Sequence, residues 1–229
     1  MASDARFSES GPDLDGHGSD GHGSGGHGSG GHGPLVEWDT AESWPIVSSE
    51  DLHRDAWVVA LRADRINRPG HEDEEPFRRL VVEHPGAAVV LALDEEERAL
   101  VITQYRHPAK RRFVELPAGL IDYPGEDPLD VAVRELREEV AHEASDWMPL
   151  LSTYTSPGLS EEIHHFFLAR GLTASDRDGF ELEHEEAEMS IHWVPFEELL
   201  EAVLSGRATD SPVVQAVLAY AALKSRGRV

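Results

Sequence analysis

The chain has 229 residues, a formal net charge of −24 and no cysteine. This length supports one or two domains with a core that needs no covalent staple, and the lack of cysteine excludes disulfides and thiolate metal sites. The acidic balance argues against general binding to nucleic acid, a polyanion that such a chain repels.

Residues 1–34 are low in complexity. From Gly16 a short unit repeats, GHGSD, GHGSG, GHGSG, GHG, and spaces His17, His22, His27 and His32 evenly. Such a segment has almost nothing apolar to bury and is expected to be a disordered tail. Its neutral imidazoles also suit weak capture of Ni²⁺, Zn²⁺ or Cu²⁺. Residues 35–85 read as a β-rich subdomain. Within it, 46–50 and 57–66 are predicted strands around a turn at Arg54–Asp55, and 78–84 is a third. Segment 87–93, AAVVLAL, is apolar without alternation, which suits a strand covered on both faces. A strand at 99–106 follows. Residues 127–141 have helical period, with Asp127 placed to cap and Pro128 in the first turn. Further strands are expected at 150–155, 163–170 and 190–196. Two helices close the chain. One runs over about 196–205 and ends at Gly206. The other starts at Ser211–Pro212 and puts Val213, Val214, Val217, Leu218 and Ala221 on one stripe. Strands mixed with few helices predict an α/β (α+β) fold in which helices flank a mixed sheet. No apolar run of about 18 residues is present, and the start of the chain lacks the apolar stretch of a signal peptide. A cytoplasmic protein without membrane partners is expected.

Chemistry concentrates in residues 115–142, ELPAGLIDYPGEDPLDVAVRELREEVAH. On a helical wheel Leu129, Val133, Leu136 and Val140 share a narrow arc, while Glu135, Glu138 and Glu139 lie opposite. Glu135 and Glu139 are four residues apart and therefore neighbours. Carboxylates this close repel one another unless something positive sits among them. Arg134 supplies one charge. A hard divalent cation supplies more, and Mg²⁺ prefers carboxylate oxygen, retained water and substrate phosphate. The preceding loop, PAGLIDYPG, is glycine-bearing, so backbone can approach a ligand and aim a carbonyl at a metal.

These residues resemble the Nudix box: a glycine, a spacer, a glutamate, seven residues and then R-E-U-x-E-E-x-G-U, with U apolar. Gly119, Glu126, Arg134, Glu135, Leu136, Glu138 and Glu139 match. Three positions depart from the pattern. The spacer between Gly119 and Glu126 is six residues, one longer than usual. Ala141 replaces the glycine that would close the helix in a left-handed conformation, and His142 replaces an apolar residue. Alanine at that position is expected to cost about 1 kcal/mol or to shift the helix end. The flanking segments QYRHPAKRRFVELPAG (104–119), SPGLSEE (156–162) and HEEAEM (184–189) are similar to the ADP-ribose pyrophosphatase branch of the family.

The resemblance implies a Nudix-type mixed sheet between helices over 86–229, and a homodimer built through 35–85. It also implies Mg²⁺-dependent hydrolysis of ADP-ribose to AMP and ribose 5-phosphate, with Mn²⁺ as an alternative metal. Glu135 and Glu139 become metal ligands together with the Ala118 carbonyl. Glu138 becomes a further ligand or an outer-sphere group, and Arg134 holds the glutamates in place. The general base is expected at Glu186, with Glu185 and Glu188 as rivals. Arg79 and Arg106 are candidates for the diphosphate, Glu115 for a ribose hydroxyl and Trp57 for stacking on adenine. His107, His164, His165 and His192 read as strand residues without a role. Another nucleotide sugar or a dinucleotide remains an alternative substrate. A non-catalytic nucleotide-binding or metal-buffering protein is a further alternative, which intact Glu135, Glu138 and Glu139 disfavour.

Overall fold

The computed structural model describes residues 38–123, 125–177, 179 and 188–229. The histidine-rich segment and two of the candidate bases, Glu185 and Glu186, lie outside the described residues. Ser43–Val229 is one compact unit. Residues 38–42, the described part of the other, carry no helix or strand.

Among the described residues three sheets form. The first joins β1 (Ile46–His53), β2 (Ala60–Ile66) and β3 (Phe77–Glu83), all antiparallel. Trp57 lies ahead of β2, so the strand expected over 57–66 starts three residues later. The second has the order β10-β5-β6, from β5 (Arg98–Arg106), β6 (Arg111–Glu115) and β10 (Ser190–Pro195). The third has the order β7-β4-β9-β8, from β4 (Ala87–Ala92), β7 (Ala118–Leu120), β8 (His142–Tyr154) and β9 (Ile163–Ala174). Its β4–β9 pair is parallel and the others are antiparallel, so the sheet is mixed.

The unbroken apolar run of β4 is explained by two cores. Val89, Leu91 and Leu93 enter one, with Phe166 and Leu168 of β9, Phe196 and Leu199 of α2 (Phe196–Leu204), and Val213, Val217 and Tyr220 of α3 (Ser211–Ser225). Ala88, Val90 and Ala92 enter the other, with Phe167 of β9 and Val131, Leu136 and Val140 of α1 (Pro128–Val140). Each fully buried Val or Leu contributes about 1.5–3 kcal/mol. The central strands are thus sandwiched, with α1 on one side and α2 and α3 on the other. None of the described helices is long and apolar enough to cross a membrane.

Local chemistry sets the helix ends. The Asp127 carboxylate accepts the Leu129 N–H at 2.9 Å, and Pro128 occupies the first turn. At the other end Ala141 takes the left-handed conformation, φ 54° and ψ 45°, and its N–H reaches Arg137 O at 3.0 Å. The helix end is not shifted; alanine bears the strain that glycine would avoid. The inward face of α3 keeps Val213, Val217 and Ala221 of the stripe that periodicity selects but is rotated away from Leu218. Val213, Ala216, Val217 and Tyr220 are buried, and Leu218 is exposed. The helix is apolar round most of its circumference, so spacing alone could not choose the face.

Candidate active site

β7 and α1 approach so closely that a Cβ on Gly119 would lie 2.0 Å from Glu135 Oε1. The glycine is needed for space here, because its φ is not positive. Glu135 and Glu139 are 9% and 6% exposed, an unusual state for carboxylates on a helix. The inward arc of α1 is Val131, Ala132, Glu135, Leu136, Glu139 and Val140, while Val133, expected inside, is exposed. Glu139 Oε2 accepts the Ala118 N–H at 2.9 Å. Arg134 Nη1 donates to Glu135 Oε1 at 2.7 Å and more weakly to Glu138 Oε2 at 3.4 Å. Its Nη2 lies 3.8 Å from Glu126 and 4.0 Å from Asp122. Burial works against the Arg134 charge, but Glu135, Glu138, Glu126 and Asp122 outweigh it and raise the guanidinium pKa.

Glu126 Oε2 and Arg134 Nε and Nη2 are buried without a hydrogen-bond partner. Such atoms are expensive to bury, at about 1–3 kcal/mol each. They sit where carboxylates crowd. The donor set is all oxygen, from Glu135, Glu138, Glu139 and the Ala118 carbonyl, and it fits a hard divalent cation. Among the described residues no group of three ligating side chains has already converged. Arg134 and the Ala118 N–H engage the carboxylates directly.

These groups line a cleft of ≈ 690 Å³ that also takes in Trp57, Arg106, Glu115, Glu162, His164 and Asp210. Arg106 and Glu115, expected to touch substrate separately, grip each other. Arg106 Nε donates to Glu115 Oε1 at 2.9 Å and Nη2 to Oε2 at 2.6 Å. Glu115 is buried and raises the Arg106 pKa, so the guanidinium is held as a fixed cation. Asp210 caps α3 through the Val213 N–H at 3.1 Å, and burial pushes its carboxyl up to about 6. Trp57 is 66% exposed. Arg79 does not line the cleft; it stacks over Phe77, 4.4 Å from the ring centroid. Glu188, the described candidate base, is exposed and accepts from Arg112 Nη1 through its backbone carbonyl at 3.1 Å.

Several cleft residues escaped the sequence reading. His164 lies at the start of β9 and Glu162 immediately precedes the strand, a spacing of two that puts both side chains on one side of an extended chain. His84 joins them from the end of β3. Asp210 has the form of an ordinary helix cap, and nothing in its neighbourhood marks a cleft.

Residues 82–217 match the model of the NUDIX domain. The chain belongs to the Nudix family. It is 43% identical over 177 residues to an ADP-ribose pyrophosphatase of Mycobacterium tuberculosis, covering 77% of this chain and 83% of that protein. It is 37% identical over 160 residues to an ADP-ribose pyrophosphatase of Bacillus subtilis, covering 70% and 83%. A methanol dehydrogenase activator of Bacillus methanolicus is 36% identical over a similar span, 70% and 83%. The crystal structure of an ADP compounds hydrolase superposes with a TM-score of 0.66 at 19% identity, covering 83% of this chain and all of that one, and shows the shared fold. This Nudix chain is a pyrophosphohydrolase, and enzymes of its family use divalent metals.

Proposed function

We propose that this enzyme hydrolyses the pyrophosphate bond of ADP-ribose to AMP and ribose 5-phosphate, with Mg²⁺ as its metal and Mn²⁺ as a substitute. The observation that carries the reading is the buried Glu135–Glu139 pair against Gly119, in one cleft with the clamped cation Arg106. The ADP-ribose pyrophosphatases among its relatives support the choice of substrate.

Water attacks one phosphorus and the bridging P–O bond breaks, leaving its electron pair on the departing phosphate oxygen. A divalent cation, when bound, neutralises the diphosphate and lowers the pKa of the attacking water. Glu135, Glu138, Glu139 and the Ala118 carbonyl would hold it. Arg134 keeps Glu135 aimed. Arg106, oriented by Glu115, meets the diphosphate charge. Glu186 receives the water proton, with Glu185 and Glu188 as the other choices, and Trp57 stacks on adenine.

A homodimer completes the site in this reading, with residues 35–85 as the joining subdomain, 86–229 as the catalytic domain and 1–34 as a tail. The first sheet leaves Ile46, Val47, Leu52 and Leu80 exposed, apolar side chains that a second copy would cover. Arg79, which stands outside this chain's own cleft, then serves the partner's. The lack of cysteine is in keeping with a reducing cytoplasm.

The test is a Mg²⁺ and Mn²⁺ assay on ADP-ribose beside several nucleotide sugars and dinucleotides, with product analysis. ADP-ribose is expected to give AMP in a strictly metal-dependent manner; preference for another compound by a large factor overturns the substrate. Glu139→Gln is expected to lower kcat by about two orders of magnitude or more without lowering the melting temperature. Retained activity in that variant removes Glu139 from the mechanism.

A further inference from the structure

The segment from Thr155 to Glu162 closes on itself and is laced to the first sheet. The Thr155 N–H donates to Glu162 O at 3.1 Å, and the Leu159 and Ser160 N–H groups donate to Ser156 O at 2.9 and 2.8 Å. From β3, the Val82 N–H donates to Leu159 O at 2.8 Å, and Val82 O accepts the Glu161 N–H at 3.1 Å. Arg62 of β2 adds an ion pair to Glu161 at 2.7 Å. The backbone at Glu162 is therefore fixed by neighbours on both sides.

Its side chain is fixed as tightly. Thr155 Oγ1 donates to Glu162 Oε2 at 2.7 Å, and His164 Nε2 lies 2.9 Å from Oε1. His84 Nε2 stands 3.5 Å from the same oxygen. The protons can be assigned. His84 Nδ1 accepts the Gly86 N–H at 3.1 Å, so the neutral ring carries its proton on Nε2, toward Glu162. Gly86 can serve this purpose because its φ is 93° and a Cβ there would press on Ile163 O at 2.9 Å. Burial lowers the His84 pKa, which keeps that imidazole neutral. The His164 bond, aided by Thr155, draws Glu162 down to about 2. His164 is 9% exposed, and its Nδ1 is buried with no hydrogen-bond partner while its other nitrogen serves Glu162. A carboxylate offers roughly four lone-pair sites; Thr155 and His164 occupy two and His84, at 3.5 Å, faces a third, which leaves about one for a ligand.

We propose that His84 and His164 are positioning residues that hold Glu162 as an acceptor-only anion for a hydroxyl of the nucleoside diphosphate substrate. His84 comes from a part of the chain far from Glu162 and His164, and the three meet in the cleft that holds Glu135 and Glu139. This inference rests on the proposed function and assigns substrate recognition to a second part of the same cleft.

A double-mutant cycle in steady-state kinetics tests it. His164→Phe preserves ring packing against Phe166 and removes the donor; His164→Gln restores a donor near the Nε2 position. With ADP-ribose, His164→Phe is expected to raise KM about tenfold with kcat within about twofold, as for a lost charge-assisted hydrogen bond. His164→Gln recovers most of that loss, and His84→Phe and His84→Gln follow the same pattern. In a Glu162→Gln background His164→Phe adds nothing further, because the residues act through one carboxylate. An additive effect, or a fall in kcat and melting temperature with KM unchanged, overturns the proposal and leaves a purely structural role. Failure of the wild type on ADP-ribose sinks the substrate reading instead, and the cycle is then read on whichever compound of the panel it hydrolyses.

Discussion

Adding a single methyl group to Gly119 would force Glu135 out of its position, since Glu135 Oε1 lies 2.0 Å from where that carbon must sit. Glu135 cannot swing freely, because Arg134 holds it at 2.7 Å. Gly119→Ala is therefore expected to lower kcat by about two orders of magnitude and to raise the Mg²⁺ concentration needed for half-maximal rate. A metal titration of the rate checks both, and an unchanged Mg²⁺ requirement would separate Glu135 from metal binding. At this scale the sequence was informative about identity and poor about burial. Glu135, Glu139 and Arg134 were legible as a group through their spacing. Their inward placement was not, because hydrophobic patterning assigns charged residues to water, and only a ligand-binding role turns them onto the sheet. His164 is illegible for a related reason: a histidine in a strand carries no mark of which neighbour it serves.

At the scale of elements, α1 shows how local signals succeed. Asp127 and Pro128 fix its start, and its observed span, Pro128–Val140, falls within the predicted range. Its end is held by more than the strained Ala141. Arg177 donates to the carbonyls of Glu138 at 2.9 Å and Glu139 at 3.1 Å, a cation at the negative end of the helix that carries the site. Ala141→Gly is expected to gain about 1 kcal/mol by relieving the left-handed alanine and to lose about half of that to the extra freedom of the unfolded chain. The melting temperature should then rise by about 1–2 °C with activity unchanged, measured by scanning calorimetry. A fall would show that Ala141 is not strained in solution. Strands were harder to see. β8 was expected at 150–155 and runs over His142–Tyr154. Its first half, HEASDWMP, lacks apolar alternation and contains Pro149, which is tolerated because β8 is the sheet edge and bulges there. β6 is basic and exposed at its start and β7 has three residues, so neither produced a periodic signal.

On the whole-molecule scale, Glu97 ties the β4–β5 turn to the end of α3. It accepts from Arg170, from the Tyr220 hydroxyl at 2.8 Å and from Lys224 Nζ at 2.8 Å. Burial opposes its charge, but these bonds win and bring the carboxyl down to about 2 from its usual 4.5. The folded-state value is depressed, so the stabilisation is present above the unfolded value and fades as pH falls from 4.5 toward 2. Glu97→Gln is expected to melt lower than wild type at pH 7, with the gap closing over that acidic window. A constant gap would show that the charge contributes nothing. Assembly is the other property at this scale. Light scattering is expected to give twice the chain mass of 25.2 kDa at micromolar concentration. A single-chain mass under those conditions would remove the partner from the site. The sequence made the mixed architecture legible, because β4 and α1 have strong patterns; the first sheet's exposed residues, by contrast, have periodicity with no core to explain it.

β4 belongs to two cores at once, with successive side chains entering opposite sides. A larger or smaller residue there disturbs both layers in the same stroke, since neither can relax independently of the other. The strand therefore behaves as a common spine: the α1 carboxylates and the α3 cap keep their separation because both are referenced to it. Variation that retunes which compound is accepted has its freedom at exposed cleft positions such as Trp57, where a change of side chain leaves the spine undisturbed.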